Sequence, residues 1–261
     1  MEITIDLTKS AQANAVEYFE RYKKAKKKAE GAEHSVKELE SRLREVEGKT
    51  ITKKELKKVE KREWYERFNW FFTSNGLLVI GGRSADQNEE LNSRYFEEND
   101  LFFHADLFGA SVTILKNGVD AEQPVKEEVA QFAASFSKAW ENGLSSVDVY
   151  ALKRDQVTKS RNKGSLGKGS FLLVGDREWF KAVPLRLAAF IIERDREEQV
   201  LQIAPAITCL RLGIKHYLVI TLGNTKKSDA AKFIAKELKY ANLDYIMQHL
   251  PAGPFSVKKF P

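Results

Sequence analysis

The N-terminal part of the chain carries a narrow apolar stripe between charged faces. From Ala15 to Val46 the apolar residues follow one another at alternating steps of three and four, without a slip. This spacing brings them to one side of an α-helix, as the seam of a coiled coil requires. The seam consists of Ala15, Tyr18, Tyr22, Ala25, Ala29, Ala32, Val36, Leu39, Leu43 and Val46.

A break at Gly48-Lys49-Thr50 separates this helix from a second one. Thr50 or Thr52 can cap the new helix, and the apolar spacing resumes from Lys53 to about Phe68. We therefore expect residues 1–68 to form a long coiled-coil helical hairpin whose two arms are antiparallel.

From Asn69 onward the pattern changes to short apolar runs that are separated by turns. Ser74-Asn75-Gly76 lies between two such runs and predicts a β-hairpin with a type I′ turn. Further strands are predicted at 100–107, 111–116, 146–152, 170–175, 185–193, 200–205 and 216–223, and helices at 84–96, 125–142, 228–241 and 243–251. Most neighbouring strands have short links, so residues 69–261 should form an α+β domain with a mainly antiparallel sheet and flanking helices.

The composition of the chain indicates the class of protein and the kind of binding partner. The 261 residues are 43% apolar, with a formal net charge of +6, and no apolar run is long enough for a membrane span. A charged EITIDL start does not resemble a secretion signal, so we expect a cytoplasmic protein. The modest basic excess favours a polyanionic partner. Cys209 is the single cysteine, and its apolar neighbours predict a buried thiol.

Gly81-Gly82-Arg83 ends a predicted strand, and Ser84 follows as a natural helix cap. Two interpretations stay open. Backbone amides at this helix start could hold a phosphate that Arg83 clamps, or the segment is a glycine turn before a capped helix whose own carboxylate, Asp86, occupies the positive end. Asp86, Gln87 and Asn88 also carry hydrogen-bonding groups that suit base edges.

His104 and Asp106 lie two apart on a predicted strand and therefore share a face. They could share a proton, bind a metal, contact RNA or hydrogen-bond each other. A metal needs further ligands, and His34, His216 and His249 show no ligand spacing. No nucleophile has a context that identifies it, so we predict neither a catalytic residue, a metal site nor a cofactor.

The segment from Lys153 to Ser170 is polar, basic and rich in glycine, which predicts a loop. GSLGKGS departs from the phosphate-loop pattern, because Asn162 stands where the first glycine is needed and Gly169 follows the lysine. The loop either is simply solvated or contacts a nucleic-acid backbone through Lys159, Arg161, Lys163 and Lys168. Most of the aromatic residues between Trp64 and Phe72 should fill the core, with at most one or two exposed.

WYERFNWFFTSNGLLVIGGRSADQNEEL followed by DLFFHADLFGAS resembles the RNA-binding domain of the NFACT proteins, which act in ribosome quality control. The resemblance extends back over LTKSAQANAVEYFERYKKAKKK and forward to an archaeal-like ending with LGNTKKSDAAKFIAKEL. It implies binding to the large ribosomal subunit, with rRNA and tRNA as partners, in the rescue of stalled translation. The family's N-terminal NFACT-N domain, with its tRNA-reading residues, has no counterpart here. The chain is therefore expected to be either the C-terminal half of such a factor or a stand-alone, shorter homologue. A separate NFACT-N-containing chain or region is an expected partner.

Two departures from the family pattern bear on the site. Phe108 stands where members commonly have a second histidine, and NKGSLGKGSF replaces a TGEYL-like segment, which adds charge. The leading hypothesis is a non-enzymatic, ribosome-associated RNA-binding module that uses Arg83, Asp86, Gln87, Asn88, His104, Asp106 and the four basic loop residues. The alternatives are an RNA-modifying or hydrolytic enzyme that uses His104 and Asp106, or a DNA- or protein-interaction module outside translation.

Overall fold

The computed structural model describes residues 6, 8, 10–47, 63–158, 169–194 and 198–260. The chain divides into two compact units, residues 1–61 and residues 62–261. In the first unit, helix α1 spans Ala11–Glu47, and its start is capped by the Ser10 hydroxyl, which accepts from the Ala13 amide at 3.2 Å. The predicted first arm is thus a helix. The predicted second arm lies mostly outside the described residues, and the hairpin stays a prediction.

A six-stranded antiparallel sheet forms one layer of the second unit, in the order β1-β2-β4-β3-β5-β8. Its strands are β1 (Asn69–Phe72), β2 (Leu78–Gly81), β3 (Leu101–Ala105), β4 (Thr113–Leu115), β5 (Ser146–Lys153) and β8 (Glu178–Pro184). A short two-stranded sheet pairs β6 (Val157–Thr158) with β7 (Leu172–Leu173).

A four-stranded antiparallel sheet forms the other layer, in the order β10-β9-β11-β12. Its strands are β9 (Leu187–Arg194), β10 (Glu198–Pro205), β11 (Leu218–Thr225) and β12 (Phe255–Lys259). The helices of this unit are α2 (Ala85–Glu90), which continues in a π-turn at Leu91–Tyr95, α3 (Gln123–Ser135), α4 (Ala206–Arg211), α5 (Lys227–Glu237) and α6 (Leu243–His249). The predicted α+β class with antiparallel sheets and flanking helices is confirmed.

Both faces of the six-stranded sheet contribute side chains to a core, because successive side chains along a strand point to opposite faces. On β3, Phe103 belongs to the core that includes α3 and the four-stranded sheet, whereas Phe102 belongs to a second core on the opposite face. That second core also contains Phe68 and Leu91 from the segments before β1 and after α2. The two cores hold the loops at one end of the sheet in fixed positions.

Several predicted boundaries were wrong. Trp64–Arg67 forms a 3₁₀ turn and Phe68 is fully buried in the second unit, so these residues do not end a coiled-coil arm. The helix predicted over 125–142 ends at Ser135, where the Ser137 hydroxyl accepts the Ala139 amide at 3.1 Å and starts a series of turns. Strands β8 and β12 and helix α4 were not predicted at all.

The hairpin between β1 and β2 is confirmed, but its predicted type I′ turn is wrong. Gly76 has φ +84°, whereas Asn75 does not have a positive φ. The Gly76 amide donates to the Thr73 carbonyl at 2.9 Å, and the Thr73 amide donates to the Leu77 carbonyl at 2.9 Å. This is the three-residue loop that ends in a left-handed glycine.

Candidate nucleic-acid interface

The Gly81–Ser84 segment turns sharply from β2 into α2. A Cβ on Gly82 would overlap the Asn88 amide oxygen, so only glycine fits there. The Ser84 hydroxyl accepts the Gln87 amide at 3.3 Å and caps α2 as predicted. The Gln87 side chain accepts the Arg83 amide at 3.0 Å, and the Asn88 side chain accepts the Val112 amide at 3.2 Å.

These contacts bear on three of the predicted RNA-binding residues. The amide groups of Gln87 and Asn88 face the protein, where they hold the turn and the start of β4 together. Gln87 also donates to the Arg67 carbonyl at 3.2 Å. Asp86 is exposed in the first turn of α2, at the position that favours a carboxylate. The geometry favours the capped-helix interpretation of this segment over a phosphate cradle built from its amides.

The Arg83 guanidinium contacts residues from both ends of the second unit's sequence. Nε donates to Asn69 Oδ1 at 3.1 Å, and one terminal nitrogen donates to the Phe68 carbonyl at 2.6 Å and contacts His249 Nε2 at 2.8 Å. Since His249 Nδ1 lies 2.8 Å from the Tyr245 carbonyl and must donate to it, Nε2 accepts from Arg83. Arg83 is half-buried, and burial lowers its pKa.

His104 lies near the end of β3, opposite Tyr150 of β5. Its Nδ1 is 3.1 Å from the Tyr150 hydroxyl, and its ring stacks on Phe102 at 6.1 Å between centroids. Burial lowers the pKa of His104, so the imidazole is neutral at pH 7. Asp106 is exposed in the bend that follows β3, and its backbone amide donates to the Asp148 carbonyl at 2.8 Å. The hydrogen bond that His104 makes with another side chain goes to Tyr150, not to Asp106.

The loop from Asp106 to Ser111 carries a solvent-exposed aromatic ring. Phe108 is 93% exposed, and the ammonium group of Lys138 lies 5.9 Å from its ring centre. Gly109 has φ +74°, and a Cβ at this position would meet the Lys138 side chain at 3.0 Å. The loop is tied to the glycine turn by the Ser111 hydroxyl, which donates to the Gly82 carbonyl. Phe108 therefore projects from a constrained turn.

A cleft of about 780 Å³ joins these segments. Its walls include the turn after β2, the Leu107–Ser111 loop, the segment 136–141 after α3, the start of α5, and residues 248–252. Three cations line it, Arg83, Lys138 and Lys227, whereas Glu141 is the only carboxylate among its described lining residues. Such an imbalance attracts a polyanion.

Neither Lys138 nor Lys227 was among the predicted RNA-binding residues. Lys227 is half-buried, and its Nζ donates to the Leu250 carbonyl at 2.8 Å. Burial lowers its pKa, and the nearby charge of Arg83 lowers it further. Within the described part of the chain neither cation forms an ion pair with a carboxylate. Two neighbouring cations with neutral partners favour the binding of an anion.

A row of aromatic and cationic side chains continues from the cleft onto the sheet edge. The Arg177 guanidinium lies 4.6 Å from the ring centre of Tyr150 and 5.8 Å from that of Trp179. The Lys181 ammonium lies 4.1 Å from the Trp179 ring and 2.8 Å from the Asp148 carboxylate, and this hydrogen bond lowers the pKa of Asp148. We call Tyr150, Arg177, Trp179 and Lys181 the edge row. Sequence reasoning missed it because it missed β8.

The structure brings together part of the predicted set. Arg83, Asn88 and His104 line the cleft, while Asp86, Gln87 and Asp106 lie outside its lining. Lys159, Arg161, Lys163 and Lys168 fall outside the described residues. Gly169, which follows them, lines the cleft, and its amide donates to Glu89 at 3.2 Å. Cys209 is buried as predicted, and burial raises the pKa of its thiol to about 12.

Comparisons with known proteins identify the family to which the chain is similar. Residues 67–175 match the model of the NFACT protein RNA binding domain. The archaeal Rqc2 homolog aRqcH of Methanocaldococcus jannaschii is 34% identical over 215 residues, which cover 79% of this chain and 31% of that protein. The ribosome quality control complex subunit NEMF of Homo sapiens is 33% identical over 176 residues, covering 65% of this chain and 16% of that protein.

A solved structure is also similar. It is the C-terminal part of the fibronectin/fibrinogen-binding protein from Streptococcus suis, with 21% sequence identity and a TM-score of 0.39, covering 67% of this chain and 77% of that one. In the described residues, no helix combines the length and apolarity needed to cross a bilayer.

Proposed function

We propose that this chain, which belongs to the NFACT family, binds RNA in the cleft between the glycine turn after β2 and the Leu107–Ser111 loop. The observation that carries the proposal is the charge of this cleft. Three cations face one exposed carboxylate, and both sequence motifs of the matched domain contribute to its walls. A phosphate backbone supplies the anions that such a cleft lacks.

The basic loop adds to the same site. Residues 159–168 carry Lys159, Arg161, Lys163 and Lys168, and the chain returns from them at Gly169 in the wall of the cleft. We propose that these four charges contact the same phosphate backbone as the cations of the cleft. His104 serves the site mainly by shaping it, because its ring bonds Tyr150, whereas Arg83 also contributes its positive charge.

We extend the proposal to ribosome quality control because of the relatives' names. The chain spans 31% and 16% of the archaeal and human relatives. In this proposal the unit docks on the large ribosomal subunit in the cytosol and contacts rRNA and tRNA. A region or a separate chain with an NFACT-N domain would complete the factor.

The geometry does not favour catalysis by His104 and Asp106. A proton relay needs the two side chains within hydrogen-bond reach, whereas the hydrogen bond of the His104 ring goes to the Tyr150 hydroxyl. We propose that the unit works by binding rather than by chemistry.

The first test removes the cations of the cleft. We expect Lys138→Ala with Lys227→Met to weaken RNA binding, and to reduce the slope of log K against log salt by about 0.7 for each phosphate of a single strand that is no longer neutralised. Replacing the four basic loop residues by alanine should act in the same direction. Fluorescence anisotropy with labelled RNA at several salt concentrations measures both effects.

The matched control removes the same charge elsewhere. Lys236 and Lys258 are exposed and lie outside the lining of the cleft. If their double alanine variant lost as much affinity as the cleft variant, net charge alone would explain binding.

Sedimentation of the full chain with purified large and small ribosomal subunits tests docking on the ribosome. Equal association with both subunits, or none, would contradict the large-subunit part of the proposal.

A further inference from the structure

The edge row differs from an ordinary solvent-facing strand in its composition. Trp179 is 39% exposed on β8, the outermost strand of the six-stranded sheet, while its neighbour Phe180 points into the core. Arg177 and Lys181 both lie against the Trp179 ring. A large indole held at the surface between two cations offers both stacking area and positive charge.

The edge row is continuous with the cleft through one residue. Tyr150 lines the cleft, hydrogen-bonds His104 there, and packs edge-on against Trp179 with ring centres 5.4 Å apart. An extended polyanion that leaves the cleft past Tyr150 meets Arg177, whose guanidinium lies 4.6 Å from the Tyr150 ring centre, and then Lys181 beside Trp179. Two carboxylates lie in this area: Asp148 pairs with Lys181, and the charge of Asp106 acts on Tyr150 and His104.

Phe108 supplies a second aromatic surface at the cleft. It is almost completely exposed beside Lys138, in a loop constrained by Gly109 and by the Ser111 contact to the glycine turn. An apolar ring in water is unfavourable by itself, and a stacking partner removes that cost. Phe108 therefore repeats the pairing of an exposed aromatic ring with a cation.

Paired bases cannot use such rings, because their faces are stacked inside the duplex, whereas unpaired bases can stack on aromatic side chains. Resting on the RNA-binding function proposed above, we propose that this site takes single-stranded RNA. Its bases stack on Trp179 and Phe108, and its phosphates lie against Arg177, Lys181 and Lys138. The strand runs from the cleft over the edge of the sheet.

The test compares unpaired RNA with a hairpin duplex of the same composition, both bound to the full chain. Trp179→Ala and Phe108→Ala should each weaken binding of the unpaired RNA by on the order of ten-fold, as expected for the loss of one stacked base. Duplex affinity should change by less than about two-fold, since duplex binding depends on phosphate contacts. Trp179→Phe, which keeps a ring, should recover most of the loss.

Two other exposed aromatic residues serve as controls. Trp64 and Phe233 are 44% and 37% exposed in the same unit but lie outside the cleft and the edge row. Their alanine variants should bind unpaired RNA as the unchanged protein does. Circular dichroism and thermal unfolding of each variant establish that it is folded. Quenching of tryptophan emission by unpaired RNA, lost in Trp179→Phe, gives a second readout.

The outcomes separate this inference from the function on which it rests. One outcome is that RNA binding depends on salt and is lost in the Lys138→Ala, Lys227→Met variant, while Trp179→Ala and Phe108→Ala leave the affinity for unpaired RNA unchanged. The proposed stacking sites are then wrong, and the RNA-binding function stands. Equal losses for unpaired and duplex RNA would also overturn the single-strand preference. If neither form binds to the unchanged chain, the RNA-binding function itself fails.

Discussion

His104 illustrates how a single residue acquires its role from its neighbours. The imidazole lies between Phe102 and the Tyr150 hydroxyl, and burial lowers its pKa below the ordinary 6.5. Below pH 6.5 the unfolded chain therefore binds a proton at His104 that the folded unit does not. Acid shifts the equilibrium towards the unfolded state, and this loss levels off once the pH is below the lowered pKa of the folded state.

We therefore expect His104→Phe to reduce the pH dependence of stability. The difference in the free energy of unfolding between pH 7.5 and pH 5, measured by denaturant titration, should be smaller in the variant. The variant's stability at pH 7.5 is a separate matter, because it also loses the bond to Tyr150. His216→Phe, at an exposed position, is the control. A pH dependence unchanged by His104→Phe would mean that this ring is protonated alike in both states.

For single residues, the type of side chain alone did not reveal which polar groups face outward. Gln87 and Asn88 have the chemistry of base recognition, yet Asn88 accepts the amide of Val112, which lies 24 residues further along the chain. That partner becomes visible only when β4 is placed beside the turn. Arg83 is a similar case, since its acceptor His249 comes from the other end of the unit.

Glu128 shows how α3 is fastened to the elements around it. Its side chain is fully buried, accepts the Ser74 amide at 2.9 Å and the Thr208 hydroxyl at 3.0 Å, and pairs with Arg211 at 3.2 Å. One carboxylate thus connects the β1–β2 hairpin, α3 and α4. Removing one member of a buried charged network leaves its partners without a counter-charge.

We expect Glu128→Gln to lower the free energy of unfolding by about 3 kcal/mol. Glu127→Gln is a close control, because Glu127 pairs with the same Arg211 at 2.7 Å but is exposed, and exposed pairs contribute less than about 1 kcal/mol. Denaturant titration of both variants gives the comparison. Equal losses would show that burial of the carboxylate does not matter here.

The elements themselves were predictable where the pattern was regular. Strands β3, β5, β9 and β11 carry long apolar runs and were predicted close to their observed positions. Strand β8 was missed because Ala182, at φ +49°, interrupts its alternation and because its outward side chains include an aromatic one. Because β8 was not predicted, the edge row was not predicted either. Where a bulge breaks the period of two, spacing alone no longer identifies a strand.

For the whole molecule, the short links between strands predicted an antiparallel α+β domain, but no local pattern predicted the cleft. Its walls combine the turn after β2 with Lys227 and residues 248–252. These segments meet where His249 of α6 contacts Arg83 and where Lys227 of α5 bonds the Leu250 carbonyl. Long-range packing of this kind leaves no signal in any window of the sequence.

RNA binding should also stabilise the folded second unit. A ligand that binds only the folded state adds about 2.7 kcal/mol at a free concentration one hundred times its dissociation constant. We expect unpaired RNA to raise the melting temperature of the unchanged chain, and to do so far less for the Lys138→Ala, Lys227→Met variant. Differential scanning calorimetry with and without RNA measures both. A shift of the same size in the two proteins would locate binding outside the cleft.

The contact between Arg83 and His249 has a consequence for biosynthesis. It joins residues 166 positions apart, and Lys227 is likewise held by the carbonyl of Leu250. During translation the glycine turn emerges early, but the last wall of the cleft is made only when residues 248–252 have left the exit tunnel. A nascent chain thus cannot present the finished cleft to RNA until residues 248–252 are outside the tunnel.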